Sequence, residues 1–166
     1  MRSIGPLTFS GAAVLDELLK LIKDAGSLHG RLVLVVGQDA RSRSQALVSA
    51  SAQLDVTVLP LGIQLAHRAA ALARRQRPLQ ASSLLRDVVD AAFPGSPVAV
   101  LDRTEVLFDR SLKLDALDAL KRLAHARTVV AAWPGELRNA RLLYAPAGHP
   151  EHCDHAATGF LVHHLS

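Results

Sequence analysis

Eight consecutive residues combine a glycine, two serines and two arginines between an apolar run and a helical pattern. They are Gly37, Gln38, Asp39, Ala40, Arg41, Ser42, Arg43 and Ser44. In a phosphate-binding loop, a glycine, four further residues and Gly-Lys-Ser/Thr follow a strand and open a helix, so that backbone N–H groups wrap phosphate oxygens. The length and context of the octapeptide agree with that arrangement. It therefore predicts a site for the phosphates of ATP, with Mg²⁺ bound to the Ser44 hydroxyl.

Two positions of the octapeptide depart from the usual loop. Ser42 stands where close backbone approach favours a second glycine, and Arg43 stands where a lysine would meet the phosphates. Arginine can pair with phosphate in a two-pronged way, but its planar head is larger than an ammonium group. An ordinary glycine turn between a strand and a helix is the simpler explanation of the octapeptide taken alone. The prediction therefore needs a second element.

A carboxylate at the end of a later strand supplies that element. Residues 98–102 read VAVLD, an apolar run that ends in Asp102 about sixty residues beyond the loop, where such folds hold the water shell of Mg²⁺. Glu105 is a candidate to polarise an attacking water, although the more usual position, directly after Asp102, holds Arg103. Thr128 is a candidate sensor of the γ-phosphate. Their plain alternatives are a solvated charge for Glu105 and simple β-propensity for Thr128.

The elements that must position these residues alternate between strands and helices. Short apolar runs predict strands at residues 31–36, 56–61, 98–101 and 128–132, with a final edge strand at residues 141–145. Helical spacing or composition predicts helices from a cap at Ser10 to Gly26, at residues 44–54 and 64–73, from Ser82 or Ser83 to Ala92, and at residues 114–123. This alternation predicts an α/β fold, a three-layer P-loop NTPase-like domain with a mainly parallel sheet of about four to five strands. We expect a single domain over residues 1–166, with residues 1–10 and 150–166 flexible.

Composition limits the class of protein. The chain is 49% hydrophobic, 4% aromatic and 20% charged, with a formal net charge of +4, which indicates a folded domain with an aliphatic core and excludes a disordered chain. That charge is too small to imply nucleic acid by itself. The single cysteine, Cys153, suits a reducing compartment, and we see neither a secretory segment nor an apolar run long enough for a membrane helix. The sequence therefore predicts a cytoplasmic protein.

Three further groups of residues have both a functional and a plain interpretation. Arginines 74, 75 and 77 would meet the phosphates of nucleotide or DNA, but no aromatic residue interleaves with them, and most such runs are merely solvated. His149, His152, Cys153 and His155 are close in sequence, yet their spacing fits no established zinc pattern. In an oligomeric ring, Arg127 or Arg138 would reach the neighbouring subunit's γ-phosphate. Trp133 is best explained as a packed residue whose indole N–H meets a backbone carbonyl.

Several segments of the chain resemble one family over most of its length, from about residue 15 to residue 150. They are residues 32–44, 72–79 (LARRQRPL), 100–114 (VLDRTEVLFDRSLKL), 127–136 (RTVVAAWPGE) and 148–151 (GHPE). These segments resemble BrxF, the small P-loop proteins of type 3 BREX phage-defence systems. The resemblance implies an ATPase-type domain related to the AAA+ group that serves with larger BREX partners, which modify host DNA and block phage. Family members end the loop in Gly-Lys-Ser/Thr, so the Ser42-Arg43-Ser44 of this chain implies weak or absent hydrolysis.

Two functions of different classes follow from these residues. The first is a nucleotide-binding subunit of a phage-defence complex, with ATP and Mg²⁺ held by the octapeptide and Asp102. The second is a degenerate P-loop domain that binds no nucleotide and recruits a partner protein or DNA. Contact with DNA would be indirect in the first, and either would permit a homo-oligomer. We expect nucleotide binding with weak or absent hydrolysis.

Overall fold

The computed structural model describes the backbone of residues 4–165 and the side chains of residues 12–165. The flexibility predicted for residues 1–10 therefore falls partly outside the described residues. The predicted cap at Ser10 is wrong, because the first helix already begins at Ile4. Among residues 4–165, no helix has the combination of length and apolar composition that crossing a bilayer requires.

A five-stranded parallel sheet forms the centre of the molecule. Its strands are β1 (Leu32–Val36), β2 (Val58–Pro60), β3 (Val98–Asp102), β4 (Thr128–Trp133) and β8 (Leu161–His164). They lie side by side in the order β2-β3-β4-β1-β8. All four pairings are parallel. Every residue of β1 and β4 is buried, as expected for apolar strands covered on both faces. The predicted α/β fold with a mainly parallel sheet is confirmed.

Helices cover both faces of this sheet. They are α1 (Ile4–Ala25), α2 (Ala40–Leu54), α3 (Leu61–Ala70), α4 (Arg77–Ala92) and α5 (Ala116–Leu123), with single 3₁₀ turns at Arg74–Gln76 and Thr104–Phe108. Successive strand side chains point to opposite faces. Leu32, Leu34 and Val36 thus pack in one core with α3, α4 and α5, whereas Val33 and Val35 pack in the other with α1 and α2. The result is the predicted three-layer arrangement.

A second, antiparallel sheet follows β4. It contains β5 (Glu136–Arg138), β6 (Arg141–Tyr144) and β7 (Cys153–Ala156), in the order β5-β6-β7. Asn139 and Ala140 both have positive φ, of 52° and 60°, which suits the tight two-residue turn between β5 and β6. The strand predicted at residues 141–145 therefore belongs to this sheet, and β8 forms the edge of the central one. Residues 150–166, predicted to be flexible, contribute both β7 and β8.

The carboxyl ends of β1 and β4 lie side by side, with Val36 paired to Trp133. The chain leaving β1 continues to β2 at one end of the sheet, whereas the chain leaving β4 leads to β8 at the other end. In open α/β sheets, ligands bind in the crevice at this kind of reversal. The topology thus directs attention to the residues that follow β1 and β4.

Candidate functional site

The turn from β1 into α2 is shorter than a phosphate-binding loop. Asp39 is the N-cap of α2, so the helix begins at Ala40, and Ser42, Arg43 and Ser44 lie within its first turns. We predicted a helix from residue 44, and that start is wrong. Asp39 causes the difference, because its Oδ1 accepts from the backbone N–H of Arg41 at 3.3 Å and its Oδ2 from the Ser42 hydroxyl at 2.8 Å. Residues 40–43 are therefore helical and do not form the long loop that would wrap phosphates.

Gly37 lies where the fold leaves little room for a side chain. It has no positive φ, but an added Cβ would lie 3.0 Å from the Cβ of Leu165, whose backbone N–H donates to the Val36 carbonyl at 2.7 Å. The close approach of the chain after β8 therefore accounts for the glycine. This favours the plain interpretation of Gly37, a turn residue.

Arg43 is turned away from solvent. Arg43 is only 5% exposed, and its Nη1 donates to the carbonyl of Gly37, six residues earlier in the chain. A guanidinium always carries charge, so this contact satisfies one of its donors while closing the turn between β1 and α2. Because Arg43 is nearly buried in this position, it presents little of its guanidinium to a phosphate in the solvent.

Ser44 and Asp102 meet at the carboxyl edge of the sheet. The Ser44 hydroxyl donates to Oδ2 of Asp102 at 2.6 Å, and Oδ1 of Asp102 accepts from the backbone N–H of Arg103 at 2.8 Å. Hydroxyl and carboxylate oxygens are the ligands that Mg²⁺ prefers, and this ion typically takes only one or two protein ligands beside phosphates and water. The pair therefore fits Mg²⁺, although residues 12–165 contain no cluster of three or more His, Cys, Asp or Glu placed to hold a metal.

A cleft of about 490 Å³ opens beside this edge. That volume is within the range of about 300–1,000 Å³ typical of small-molecule sites. The cleft is lined by Val36, Gly37, Gln38, Asp39, Ser42, Gly135, Glu136, Leu137, His164 and Leu165. Sequence reasoning identified the first part of this lining. It assigned no role in the site to the residues after β4, and it missed His164 and Leu165 because it placed no strand at residues 161–164. The cleft is therefore bordered by the β1–α2 turn, by the chain that follows β4 and by the carboxyl end of β8.

Of the remaining catalytic candidates, one lies on the correct edge and one does not. Glu105 is exposed in the 3₁₀ turn that follows β3, at the carboxyl edge. Thr128 is buried at the start of β4 and pairs with Val98 at the start of β3, so it lies at the amino edge, opposite the Ser44–Asp102 pair. The direction of β4 therefore removes Thr128 as a γ-phosphate sensor. A different threonine, Thr104, is buried near the site and donates to the carbonyl of Ala132 at 2.5 Å.

The two candidate arginine fingers lie at opposite edges of the sheet. Arg127 precedes β4, and its guanidinium is held by Oδ1 of Asp90 at 2.8 Å and by the Phe93 carbonyl at 2.5 Å. Arg138 lies in β5, beyond the carboxyl end of β4, with its side chain 65% exposed and paired with Glu136 at 2.8 Å. Position thus favours Arg138. Of the basic run, Arg74 and Arg75 are exposed and available to solvent.

The histidines and the cysteine near the C-terminus make separate local contacts. Nδ1 of His149 accepts from the Glu151 N–H at 3.0 Å, Nδ1 of His152 lies 2.9 Å from the Ala145 carbonyl, and Nε2 of His155 lies 3.8 Å from Oδ1 of Asp115. Burial raises the pKa of the Cys153 thiol to about 11, and the nearby Asp115 carboxylate acts in the same direction. A thiol with this pKa stays protonated at neutral pH, which disfavours nucleophilic attack by Cys153.

His163, further along the chain, is buried in the central sheet. It lies in β8 beside Val35, is only 2% exposed, and neither ring nitrogen has a hydrogen-bond partner within the described part of the chain. Burial lowers the pKa of His163; His164 acts in the same direction, while Glu17 of α1 opposes the shift. The folded protein therefore favours the neutral imidazole of His163. The next residue in β8, His164, lines the cleft.

The lowered pKa of His163 predicts a loss of stability in acid. As the pH falls, the imidazole of His163 takes up a proton near pH 6.5 in the unfolded state, before it does so in the folded state. The contribution of this difference to the free energy of unfolding is therefore complete above about pH 6.5 and declines as the pH falls below that value. We expect His163→Leu to raise the free energy of unfolding by about 1–3 kcal/mol, because it removes two unpartnered buried nitrogens, and to flatten this decline. Urea unfolding between pH 5 and 8 measures both effects. The exposed His29→Leu is the matched control, and an unchanged acid profile in His163→Leu would refute the assignment.

Comparison with protein-family models, curated proteins and solved structures finds no match to this chain. Inference about its function therefore rests on the residues and their geometry. The strongest element of that geometry is the Ser44–Asp102 pair at the carboxyl edge of the sheet, where a cleft of suitable volume is lined by Asp39 and Ser42 of the same chain segment.

Proposed function

We propose that this protein is the ATP-binding P-loop subunit of a BREX-type phage-defence complex, with weak or absent hydrolysis. The observation that carries the proposal is the 2.6 Å hydrogen bond between Ser44, at the start of α2, and Asp102, at the end of β3. The resemblance of residues 32–44, 100–114 and 127–136 to BrxF supplies the biological setting. Other BREX proteins are its proposed partners.

Each residue of the site has a defined part in this proposal. Bound Mg²⁺ would neutralise phosphate charge, and Ser44 and Asp102 would hold the ion directly or through its water shell. The free N–H groups at the start of α2 would face the phosphates, because a helix N-terminus carries a partial positive charge. Glu136, Leu137 and His164 line the part of the cleft beyond the turn and would contact the rest of the nucleotide.

Weak hydrolysis follows from the residues around Asp102. Turnover requires a group that positions or polarises the attacking water. The position directly after Asp102 is Arg103, which has a φ of 54° and supplies no carboxylate. Glu105 lies on an exposed 3₁₀ turn, and Thr128 lies at the opposite edge of the sheet. The chain thus has the Ser44–Asp102 pair proposed to hold Mg²⁺, while its one candidate for activating water, Glu105, lies exposed on a turn three residues beyond Asp102.

Replacement of the Ser44 hydroxyl tests this site. We expect native protein to bind a fluorescent ATP analogue saturably at micromolar to millimolar concentration in the presence of Mg²⁺, and Ser44→Ala to weaken binding about tenfold, equivalent to about 1.4 kcal/mol. Chelation of Mg²⁺ should remove this difference. The control is Ser49→Ala, the same change at an exposed position of α2, which should leave the affinity unchanged. Absence of saturable binding by native protein at millimolar ATP would reject the proposal.

A second function has its own structural support. The short turn, the Asp39 cap and the inward contact of Arg43 all close the region where phosphates would bind. These contacts favour a degenerate P-loop domain that recruits a partner protein or DNA without nucleotide. If native protein binds no ATP while Ser44→Ala still associates with the partners that native protein captures, this second function replaces the first.

A further inference from the structure

We propose that Asp39 acts as an internal competitor of phosphate, occupying the start of α2 so that a triphosphate must displace its carboxylate in order to bind. This inference rests on the proposed function and concerns the regulation of the same site. It assigns to Asp39 the control of how tightly the loop binds anions, a property usually attributed to the second glycine and the lysine that Ser42 and Arg43 replace here.

The contacts of Asp39 are those that a phosphate would make. The first N–H groups of a helix have no partner within the helix, and they attract anions. One of these, the N–H of Arg41, already donates to Oδ1 of Asp39 at 3.3 Å, and the Ser42 hydroxyl donates to Oδ2 at 2.8 Å. A carboxylate from the chain itself therefore takes the donors that would otherwise be offered to a ligand.

Two independent features indicate that a ligand belongs at this place. The 490 Å³ cleft is lined by both Asp39 and Ser42, so the capped helix end faces an open volume. Ser44 lies on the same helix, within one turn of Ser42, and its hydrogen bond to Asp102 at the end of β3 brings together oxygens suited to Mg²⁺. A helix end that only needed a cap would require neither feature.

The charge of Asp39 is present throughout the neutral range. Its hydrogen bond from Ser42, followed by that from the Arg41 N–H, lowers the pKa of this carboxyl. A triphosphate near the ionised carboxylate would be repelled, and binding would require Asp39 to release Ser42 and swing out, or Mg²⁺ to screen the two groups from each other. Either event makes binding weaker than it would be at an uncharged cap.

The test replaces charge without removing the cap. Asn caps a helix about as well as Asp, so Asp39→Asn should leave α2 intact while removing the negative charge. We expect Asp39→Asn to bind Mg-ATP about tenfold more tightly than native protein, and inorganic tripolyphosphate more tightly by a similar factor. Binding of adenosine, which has no phosphate, should not change. Isothermal titration with the three compounds separates an effect on phosphate from an effect on the whole cleft.

A matched control exists in the same chain. Asp115 is the N-cap of α5, accepting from the N–H of Asp118 at 3.0 Å, and it does not line the 490 Å³ cleft. Asp115→Asn should therefore leave the affinity for all three compounds unchanged, and urea unfolding of both variants verifies that they are folded.

The outcomes separate this inference from the proposed function. If native protein binds Mg-ATP and Asp39→Asn binds it no more tightly, the inference is overturned and the proposed function stands. If only Asp39→Asn binds, the inference is supported, whereas the proposed binding of ATP by native protein is rejected. If neither protein binds Mg-ATP or tripolyphosphate at millimolar concentration, both the inference and the proposed function fail.

Discussion

A protein carrying both Ser42→Gly and Arg43→Lys is expected to bind Mg-ATP about tenfold more tightly than the native chain, a gain of about 1.4 kcal/mol. The first change removes the Ser42 hydroxyl that holds Asp39, and the second removes the guanidinium that closes onto the Gly37 carbonyl. A lysine at position 43 offers a smaller and more mobile ammonium to phosphate. Together the changes loosen the turn and restore the usual end of a phosphate-binding loop.

The measurement is a titration of native and variant proteins with a fluorescent ATP analogue, accompanied by an assay of phosphate release. Arg41→Lys is the control, because this exposed side chain lies on the same helical turn and the change preserves its charge. It should alter the affinity less than twofold, a difference of about 0.4 kcal/mol. Equal affinities of the native and doubly substituted proteins would show that Ser42 and Arg43 do not limit binding. Phosphate release by native protein at the variant's rate would show that they do not limit hydrolysis.

Truncation of Trp133 is expected to produce the largest loss of stability. The side chain is fully buried, its indole N–H donates to the Leu143 carbonyl at 3.1 Å, and its ring meets the edge of Phe108 at 5.3 Å between centroids. Phe108 in turn stacks on Tyr144 at 3.8 Å, so these aromatic rings join the central sheet to the second sheet. Trp133→Ala should cost about 3–5 kcal/mol, a large share of the roughly 5–15 kcal/mol that stabilises a typical domain.

Urea unfolding followed by far-ultraviolet circular dichroism measures this loss, since Trp133 is the only tryptophan and its own fluorescence disappears with it. Trp133→Phe is the control. It keeps a large ring against Phe108 but leaves the Leu143 carbonyl without its donor, so its cost should be smaller than that of Trp133→Ala. A loss below about 1 kcal/mol in Trp133→Ala would contradict the packing described here.

The inner strands of the central sheet were predictable because they are nearly continuous apolar runs. Residues 32–36 and 129–132 are covered on both faces, so apolar side chains occupy every position and the pattern stands out against the nearby glycines and prolines. The indole contact of Trp133 with a backbone carbonyl was also predicted and is confirmed. The approach of Ser44 to Asp102 agrees with the expectation that both lie at the carboxyl edge of one parallel sheet.

The second sheet was harder to predict for a physical reason. Its strands contain only three or four residues each, and β7 reads CDHA, too short and too polar to show a period of two. β8 contains two histidines, one of them buried without a partner in the described residues, so its place at the edge of the central sheet could not be inferred from apolar content. Tertiary pairing determines these strands more than local propensity does.

Two features of the site could have been read from the sequence. Asp39 precedes a helix-forming segment, and aspartate is among the best N-caps, which would have placed the start of α2 at Ala40. The amino-terminal position of Thr128 in a parallel strand would have placed it away from the loop, since phosphates bind at the carboxyl edge. By contrast, the contact of Arg43 with the Gly37 carbonyl depends on the folded shape of the turn itself.

A crystal structure with Mg²⁺ and a non-hydrolysable ATP analogue at saturating concentration tests the central claim most directly. The account predicts the triphosphate at the start of α2, Mg²⁺ beside Ser44 and Asp102, and the Asp39 carboxylate displaced from the Ser42 hydroxyl that it now accepts from at 2.8 Å. An unchanged turn, with Asp39 still bound to Ser42 and no nucleotide in the cleft at millimolar analogue, would contradict it.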